Sequence, residues 1–262
     1  MKLLEGKTAL VFGVANDHSI GWGIAKTMHE HGAKLAFSYA VDALERRVRP
    51  LAESVGSDFV EKCDLSSDDE IEHLFKKVDS DLGPYDILVH AVAFADRDEL
   101  MGDFHMTSRE GFRVAMDISV YSFIAIARAS IPFMPNGGSM LTLSYHASVK
   151  VFPNYNVMAI AKAALENTTR YLAVDLGPRG IRVNAISPGP IRTLSAAGVS
   201  GFKKLHREFA NVNPLRSNVT SEDVGGAALW LSSDYAKNVT GEVLYVDSGY
   251  NILGVTVPTD DI

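Results

Sequence analysis

Within Asn154-Tyr155-Asn156-Val157-Met158-Ala159-Ile160-Ala161-Lys162 a phenol and an amine, Tyr155 and Lys162, stand seven positions apart in a stretch patterned as a helix. Seven steps of about 100° bring the two side chains to nearly one face, about two turns apart. The chemistry open to such a pair is donation of a hydrogen bond or proton by the phenol, assisted by the charge of the neighbouring ammonium. Spacing alone does not decide the matter, because an amphipathic Tyr and a snorkelling Lys produce the same pattern.

A second candidate lies near the start. A predicted strand runs into Gly13-Val14-Ala15-Asn16-Asp17-His18-Ser19-Ile20-Gly21-Trp22-Gly23, after which a helix begins. Glycines at that place let the backbone approach a pyrophosphate, and the free N–H groups of a helix N-terminus favour an anion. The spacing departs from G-x-G-x-x-G, and the chain has 21 glycines, so a purely structural turn competes. The place directly after a first strand favours phosphate. Tyr155 and Lys162 follow the fifth strand of the same sheet, where Lys162 can bind the ribose of a dinucleotide.

The second strand ends in Ser38-Tyr39-Ala40-Val41, with neither an acid for the adenosine ribose nor a base for a 2′-phosphate. The missing base favours NADH over NADPH, although Arg46 or Arg47 could reach back. After the third strand, Cys63-Asp64-Leu65 puts the Asp64 carboxylate where it could accept from an adenine amino group. A cap for the helix at Ser66 is its alternative role.

The elements that must hold these residues alternate between short β-rich apolar runs and longer helical patterns, the signature of βαβ units. Strands are predicted at Thr8–Phe12, Lys34–Ser38, Asp58–Glu61, Ile87–His90, Ser139–Ser144, Arg182–Ser187 and Val243–Val246. Helices are predicted near Trp22–His31, Ala43–Ser54, Asp68–Ser80, Ser108–Phe133 and Tyr155–Leu176, with a less regular region from Gly198 to Leu231. The fold class that follows is α/β: one Rossmann-like domain over residues 1–262, a doubly wound parallel sheet of about seven strands with helices on both faces.

Bulk properties narrow the function. The chain of 262 residues is 47% hydrophobic and 22% charged, enough apolar material for a substantial core. A net charge of −7 without a dense basic cluster argues against a nucleic-acid partner. Arg46, Arg47 and Arg49 read as the solvated face of a helix. Cys63 is the single cysteine, which excludes an intramolecular disulfide, suits a reducing cytoplasm, and reads as a small buried residue. The apolar run Thr8–Ala15 is followed by Asn16-Asp17-His18 rather than a cleavage site, and no run is read as approaching the ~20 apolar residues of a membrane span. Neither export, a membrane anchor nor a metal site is expected.

The motifs, in order, resemble the short-chain dehydrogenase/reductase superfamily and, within it, the bacterial NADH-type enoyl-acyl-carrier-protein reductases. The resemblance is carried by Gly13-x5-Ser19-x3-Gly23, Leu141-Thr142-Leu143-Ser144-Tyr145, Pro153-Asn154-Tyr155-Asn156, Tyr155-x6-Lys162 and Val183-Asn184-Ala185-Ile186-Ser187-x-Gly189-Pro190-Ile191-Arg192-Thr193. It extends from Leu4-x-Gly6-Lys7 to Val246-Asp247-Ser248-Gly249. The superfamily's commoner pattern has Tyr-x3-Lys and Asn-Asn-Ala-Gly, whereas this chain has Tyr-x6-Lys and His90-Ala91-Val92-Ala93-Phe94. That difference disfavours the alternative of a short-chain alcohol dehydrogenase or ketoreductase. A nucleotide sensor without turnover is disfavoured by the retained Tyr155 and Lys162.

The resemblance implies reduction of the trans-2 double bond of an acyl-carrier-protein-linked enoyl thioester by NADH, the last reductive step of fatty-acid elongation. It implies catalytic Tyr155, Lys162 and Tyr145, with Tyr155 on the thioester oxygen, Lys162 on the nicotinamide ribose and Tyr145 near the double bond. It implies a cofactor groove of Gly13, Ser19, Ile20, Asp64, Leu65, Ala93, Ile191 and Thr193, and an acyl pocket walled by Phe94, Tyr145, Met158 and Phe202. The segment from Leu194 to His206 is implied to be a mobile cover, and the assembly a homotetramer. Two departures stand out. Ala93 replaces the family's usual glycine, adding a methyl where diphenyl-ether inhibitors stack, so weaker inhibition is expected. His146-Ala147-Ser148-Val149-Lys150 replaces Leu-Gly-Ala-Glu-Arg, and His146 reads as a polar residue at the pocket rim rather than a catalytic one.

Overall fold

Seven parallel strands form one sheet: β1 (Thr8–Phe12), β2 (Lys34–Tyr39), β3 (Val60–Lys62), β4 (Ile87–His90), β5 (Gly138–Leu143), β6 (Ile181–Pro188) and β7 (Val243–Val246). Their spatial order is β3-β2-β1-β4-β5-β6-β7. The computed structural model describes residues 2–194 and 196–255. Ser195, which falls within the predicted cover, lies outside the described residues, as do Met1 and residues 256–262. The predicted α/β class, strand number and doubly wound arrangement are all borne out.

The strands read as nearly continuous apolar runs because both faces of the sheet are covered. Alternation still sorts their side chains. Leu10, Phe12, Leu88 and Met140 enter the core on one face, with Phe75, Phe123 and Leu165. Ala9, Val11, Val89 and Leu141 enter the other, with Trp22, Met28 and Leu231. Each fully buried Leu or Phe contributes about 1.5–3 kcal/mol.

The first face carries α3 (Asp68–Lys77), α4 (Arg109–Met116), α5 (Ser122–Ser130) and α6 (Asn156–Leu176); the second carries α1 (Ile20–Glu30), α2 (Asp42–Ser54) and α8 (Ser221–Ser232). Helix α7 (Phe202–Val212) precedes α8, so the region read as irregular contains two regular helices. A capping box, in which Thr220 and Asp223 bond reciprocally, starts α8. Gly23 and Gly225 let α1 and α8 touch: a Cβ at either would strike the other helix.

Three expectations need correction. The helix predicted over Ser108–Phe133 is α4, a π-turn at Asp117–Tyr121, α5 and a final 3-10 turn. That continuous stretch, Arg109–Phe133, has a mean hydropathy of 1.5 over 18 residues, long and apolar enough to cross a membrane by length and composition. The expectation that no run approaches a span was therefore wrong: scattered Ser and Arg hide a high average, and half of that window is buried in the fold. Finally, α6 begins at Asn156, which leaves Tyr155 as its N-cap rather than its first turn.

Candidate active site

Strand order reverses between β2 and β4 on either side of β1, and the crevice beyond the strand ends at such a switch point is where an open α/β sheet binds ligands. A cavity of about 600 Å³ opens there. Every residue predicted for the site lies on its wall: Gly13, Ser19, Ile20, Asp64, Leu65, Ala93, Phe94, Tyr145, Tyr155, Met158, Lys162, Ile191, Thr193 and Phe202.

At one end the backbone sets the shape. Gly13 has φ +91°, and a Cβ there would run into the Ala91 carbonyl beyond β4. Asn16 Oδ1 accepts from the His18 N–H at 3.0 Å and from the Ser19 hydroxyl at 3.3 Å. Ser19 Oγ accepts from the Ala15 and Asn16 N–H groups at 3.0 and 3.1 Å. The Ser19 hydroxyl is thus committed to the loop, no side chain caps α1, and its first turn holds no acid. An uncapped, acid-free helix end at the cavity is a fit for a pyrophosphate.

The adenosine end fits NADH. Ser38 Oγ, buried at the tip of β2 and on the cavity wall, has no partner within the protein. Arg46 and Arg47 do not line the cavity. Arg49 pairs with Glu45, and Lys62, beside Tyr39 in the sheet register, pairs with Asp42 at 3.2 Å. Asp64 Oδ1 accepts from the Ser66 N–H at 2.9 Å and its hydroxyl at 2.8 Å, an Asx turn, while the cap of α3 is Ser67. Asp64 therefore does local turn work at the cavity wall without capping the helix.

At the other end side chains set the shape. Tyr155 has φ −118° and ψ −17° and sits between Asn154 at φ +61° and Asn156 at φ +23°. Both asparagines anchor their amides elsewhere: Asn154 donates to the Ser200 carbonyl at 3.2 Å, and Asn156 to the Gly102 carbonyl at 3.1 Å. Strained backbone of this kind persists where surrounding structure over-determines it. The Tyr155 and Tyr145 rings are 5.0 Å apart, and Tyr145 is also 5.0 Å from Phe152. Burial pushes both phenols up, Tyr145 further through its neighbours Tyr155 and Tyr250. Both tyrosines therefore stay protonated donors at neutral pH.

Lys162 is 5% exposed and donates to the Leu143 carbonyl at 2.6 Å. Burial pushes its pKa down to about 8, against an upward pull from Glu166. His90, at the end of β4, bonds Thr142 and Ser122 at 2.9 Å each and is pushed down to about 3 by burial and then by Lys162. It is a neutral strut.

His146 does not sit at the pocket rim. The 3-10 turn His146–Ser148 turns it inward, 7% exposed, against Phe152, Tyr245 and Tyr250, with Nδ1 unpartnered. Phe152 lines the cavity in its place. Sequence reasoning also missed Arg97 on the cavity wall, and Ser119 on the π-turn, which holds Phe94 through both backbone groups at 3.0 and 3.1 Å. Clusters of three or more metal-ligating side chains are absent among the described residues.

A helix end suited to a phosphate, and a buried lysine sharing a cavity wall with two phenols at the switch point of a doubly wound sheet, are what a Rossmann-type dinucleotide-dependent oxidoreductase needs. Comparison with known proteins is more specific. Residues 13–251 match the family model described as enoyl-(acyl carrier protein) reductase, and the chain belongs to that family. An enoyl-acyl-carrier-protein reductase (NADH) of Aquifex aeolicus is 53% identical over 97% of this chain and 95% of its own length. Its crystal structure superposes with a TM-score of 0.94, covering 97% of this chain and 99% of that one. A reductase structure from Anaplasma phagocytophilum in complex with NAD is 48% identical, with a TM-score of 0.93 and 97% of each chain covered. The Bacillus cereus enzyme, solved with NADP+ and indole naphthyridinone, is 50% identical with a TM-score of 0.95, covering 97% of this chain and all of that one.

Proposed function

We propose that this protein is an NADH-dependent enoyl-acyl-carrier-protein reductase that saturates the trans-2 double bond of enoyl thioesters. The observation that carries the reading is the junction of Tyr145, Tyr155 and Lys162 with the uncapped end of α1 in one cavity, in a chain about half identical over its length to reductases of that name.

The chemistry that bound NADH supplies is transfer of a hydride to the β-carbon of the enoyl thioester. The residues of this chain do the rest. Gly13, Ser19 and Ile20 form the pyrophosphate seat with Thr193, whose hydroxyl accepts from the Ala196 N–H at 3.1 Å. Leu65, Asp64, Ala93 and Ile191 line the remaining groove, and Lys162 holds the nicotinamide ribose. Tyr155 donates its hydroxyl proton in a hydrogen bond to the thioester oxygen as negative charge gathers there, an oxyanion-stabilising role. The raised phenol makes Tyr155 a donor that keeps its proton until that charge develops. The enolate then takes a proton from solvent at its α-carbon, which completes the saturated thioester and leaves the Tyr155 hydroxyl proton in place. Tyr145 stands beside the double bond, and Phe94, Met158 and Phe202 wall the acyl chain.

The described residues of the segment from Leu194 to His206 act as a cover, supported by the placement of Leu194, Phe202 and Leu205 on the cavity wall. The protein assembles as a homotetramer in the cytoplasm. Exposed Tyr171 and Val174 on α6, with Phe112 and Tyr121 beside it in the chain fold, support helix-to-helix interfaces.

The reaction is tested by mixing purified protein with NADH and a trans-2-enoyl thioester, beside a 3-ketoacyl thioester. Loss of NADH absorbance with the enoyl substrate alone is expected. Oxidation confined to the ketone would assign a ketoreductase, and NADH binding without turnover would assign a sensor. Size-exclusion chromatography with light scattering tests the tetramer.

A further inference from the structure

Glu166 has no part in the mechanism above, yet it is bonded to the segment that carries Tyr145 and shares α6 with Lys162. It stands on α6 one turn beyond Lys162 and is 4% exposed. Its Oε1 accepts from the Ser144 hydroxyl at 2.5 Å and from the Ser148 hydroxyl at 2.6 Å. Those serines bracket Tyr145 and the turn that follows it. A buried carboxylate needs partners for its charge, and the partners here are the two ends of the segment that carries Tyr145. Ser148 closes the 3-10 turn His146–Ser148, so one of the two bonds ties that turn back to α6.

Glu166 lies four positions along α6 from Lys162, and its negative charge favours the Lys162 ammonium against the effect of burial. Lys162 is bonded to Leu143, the residue directly before Ser144. The remaining groups that face Glu166 are His146 and Tyr245. Burial lowers the first and raises the second, so neither supplies a compensating cation at neutral pH. His90 faces Lys162 from β4 and is uncharged at that pH. Asp247 and Lys150 act on His146, and Asp247 and Arg170 on Tyr245, at the edge of the cluster.

We propose that Glu166 is a positioning residue for the reductase reaction, fixing the Tyr145 segment through Ser144 and Ser148 and supplying the negative partner of Lys162. The proposal rests on the enoyl-reductase reading for its kinetic part only. Its electrostatic part concerns NADH binding and stands without that reading.

The experiment uses the full chain and the variants Glu166→Gln, Glu166→Asp and Ser148→Ala. NADH affinity is titrated by fluorescence from pH 6 to pH 10, and turnover of a short trans-2-enoyl thioester is measured at pH 7.5. Glu166→Gln keeps the shape and removes the charge. It is expected to move the alkaline fall in NADH affinity toward lower pH by about one unit, and to lower kcat about tenfold. Glu166→Asp restores that fall toward its original pH while kcat stays low. Ser148→Ala leaves it unmoved and lowers kcat about threefold, the loss of one hydrogen bond. A Glu166→Gln protein whose NADH affinity falls at the parent's pH overturns the electrostatic part. Both Glu166→Gln and Ser148→Ala retaining kcat within twofold overturns the positioning part. A parent that binds NADH but leaves the enoyl thioester untouched defeats the functional reading, and the pH titration still decides the pairing with Lys162.

Discussion

Around the α1 end of the cavity the shape is set by backbone: a glycine pressed against the Ala91 carbonyl, a loop closed by Ser19 and Asn16, and a helix end with no cap. Around Tyr145 and Tyr155 it is set by side chains reaching far along the sequence: Ser119 to Phe94, Asn154 to Ser200, and Ser144 to Glu166. The first arrangement recognises a group common to every dinucleotide, so local geometry suffices. The second must fit one substrate and one developing charge, and it is assembled from segments that meet only in the folded chain. The difference predicts that lesions in the two halves separate into binding and turnover.

Tyr155→Phe is the strongest test. Removing one oxyanion donor costs about 10²–10³ in kcat, and the NADH Kd should stay where it was. An equal loss of NADH affinity would break the division. Next comes the charge buried in the side-chain half. Lys162 titrates near 8 when folded against an ordinary value of 10.5. The unfolded chain therefore holds the extra proton between those limits, and the stability contribution of this group rises with pH across that window. Denaturant midpoints from pH 7.5 to 10.5 should climb more steeply in the parent than in Lys162→Met, the divergence reaching on the order of 3 kcal/mol. Parallel curves would show that the charge is not buried as described.

Gly13→Ala places a methyl into the Ala91 carbonyl and should cost on the order of 2 kcal/mol of stability, together with most of the NADH affinity. A variant that melts like the parent would mean the loop can move away. Ala93→Gly removes the extra methyl and should tighten diphenyl-ether inhibitors about tenfold, read as the inhibitor constant. A nanomolar constant already present in the parent would remove the basis for that expectation. The smallest effect is expected of Asn154→Gly, which keeps the positive φ but drops the bond to Ser200. A loss in kcat/KM of about two- to tenfold without a shift in Tm would place the asparagine in the turnover half.

Legibility followed the same division. The loop from Gly13 to Gly23 could be found because a strand, glycines and a helix start are consecutive in sequence, whereas Ser19 and Ile20 were named through the family resemblance. Tyr155 and Lys162 were found through a spacing within nearly one helix. The sheet was readable from apolar runs, since burial on both faces leaves its mark on each strand. Hidden were the contacts between distant segments: Ser119 with Phe94 across 25 positions and Ser144 with Glu166 across 22. No local pattern announces them. His146 was misplaced for that reason, because its surroundings include Tyr245 and Tyr250, about a hundred positions away. The place of Tyr155 ahead of the helix, between two asparagines of positive φ, could not be read from a motif that looks helical throughout.

The apolar stretch Arg109–Phe133 has a consequence for the birth of the chain. An 18-residue window within it satisfies the composition of a membrane span, yet α6, which packs against α4 and the π-turn, is complete only at Leu176. At the usual 5–20 residues per second, that helix follows about 2–9 seconds later. During synthesis the segment is thus offered, unburied, to any apparatus that selects hydrophobic helices from the ribosome. How long that apolar segment stays uncovered is set by the arrival of the helix that packs on it.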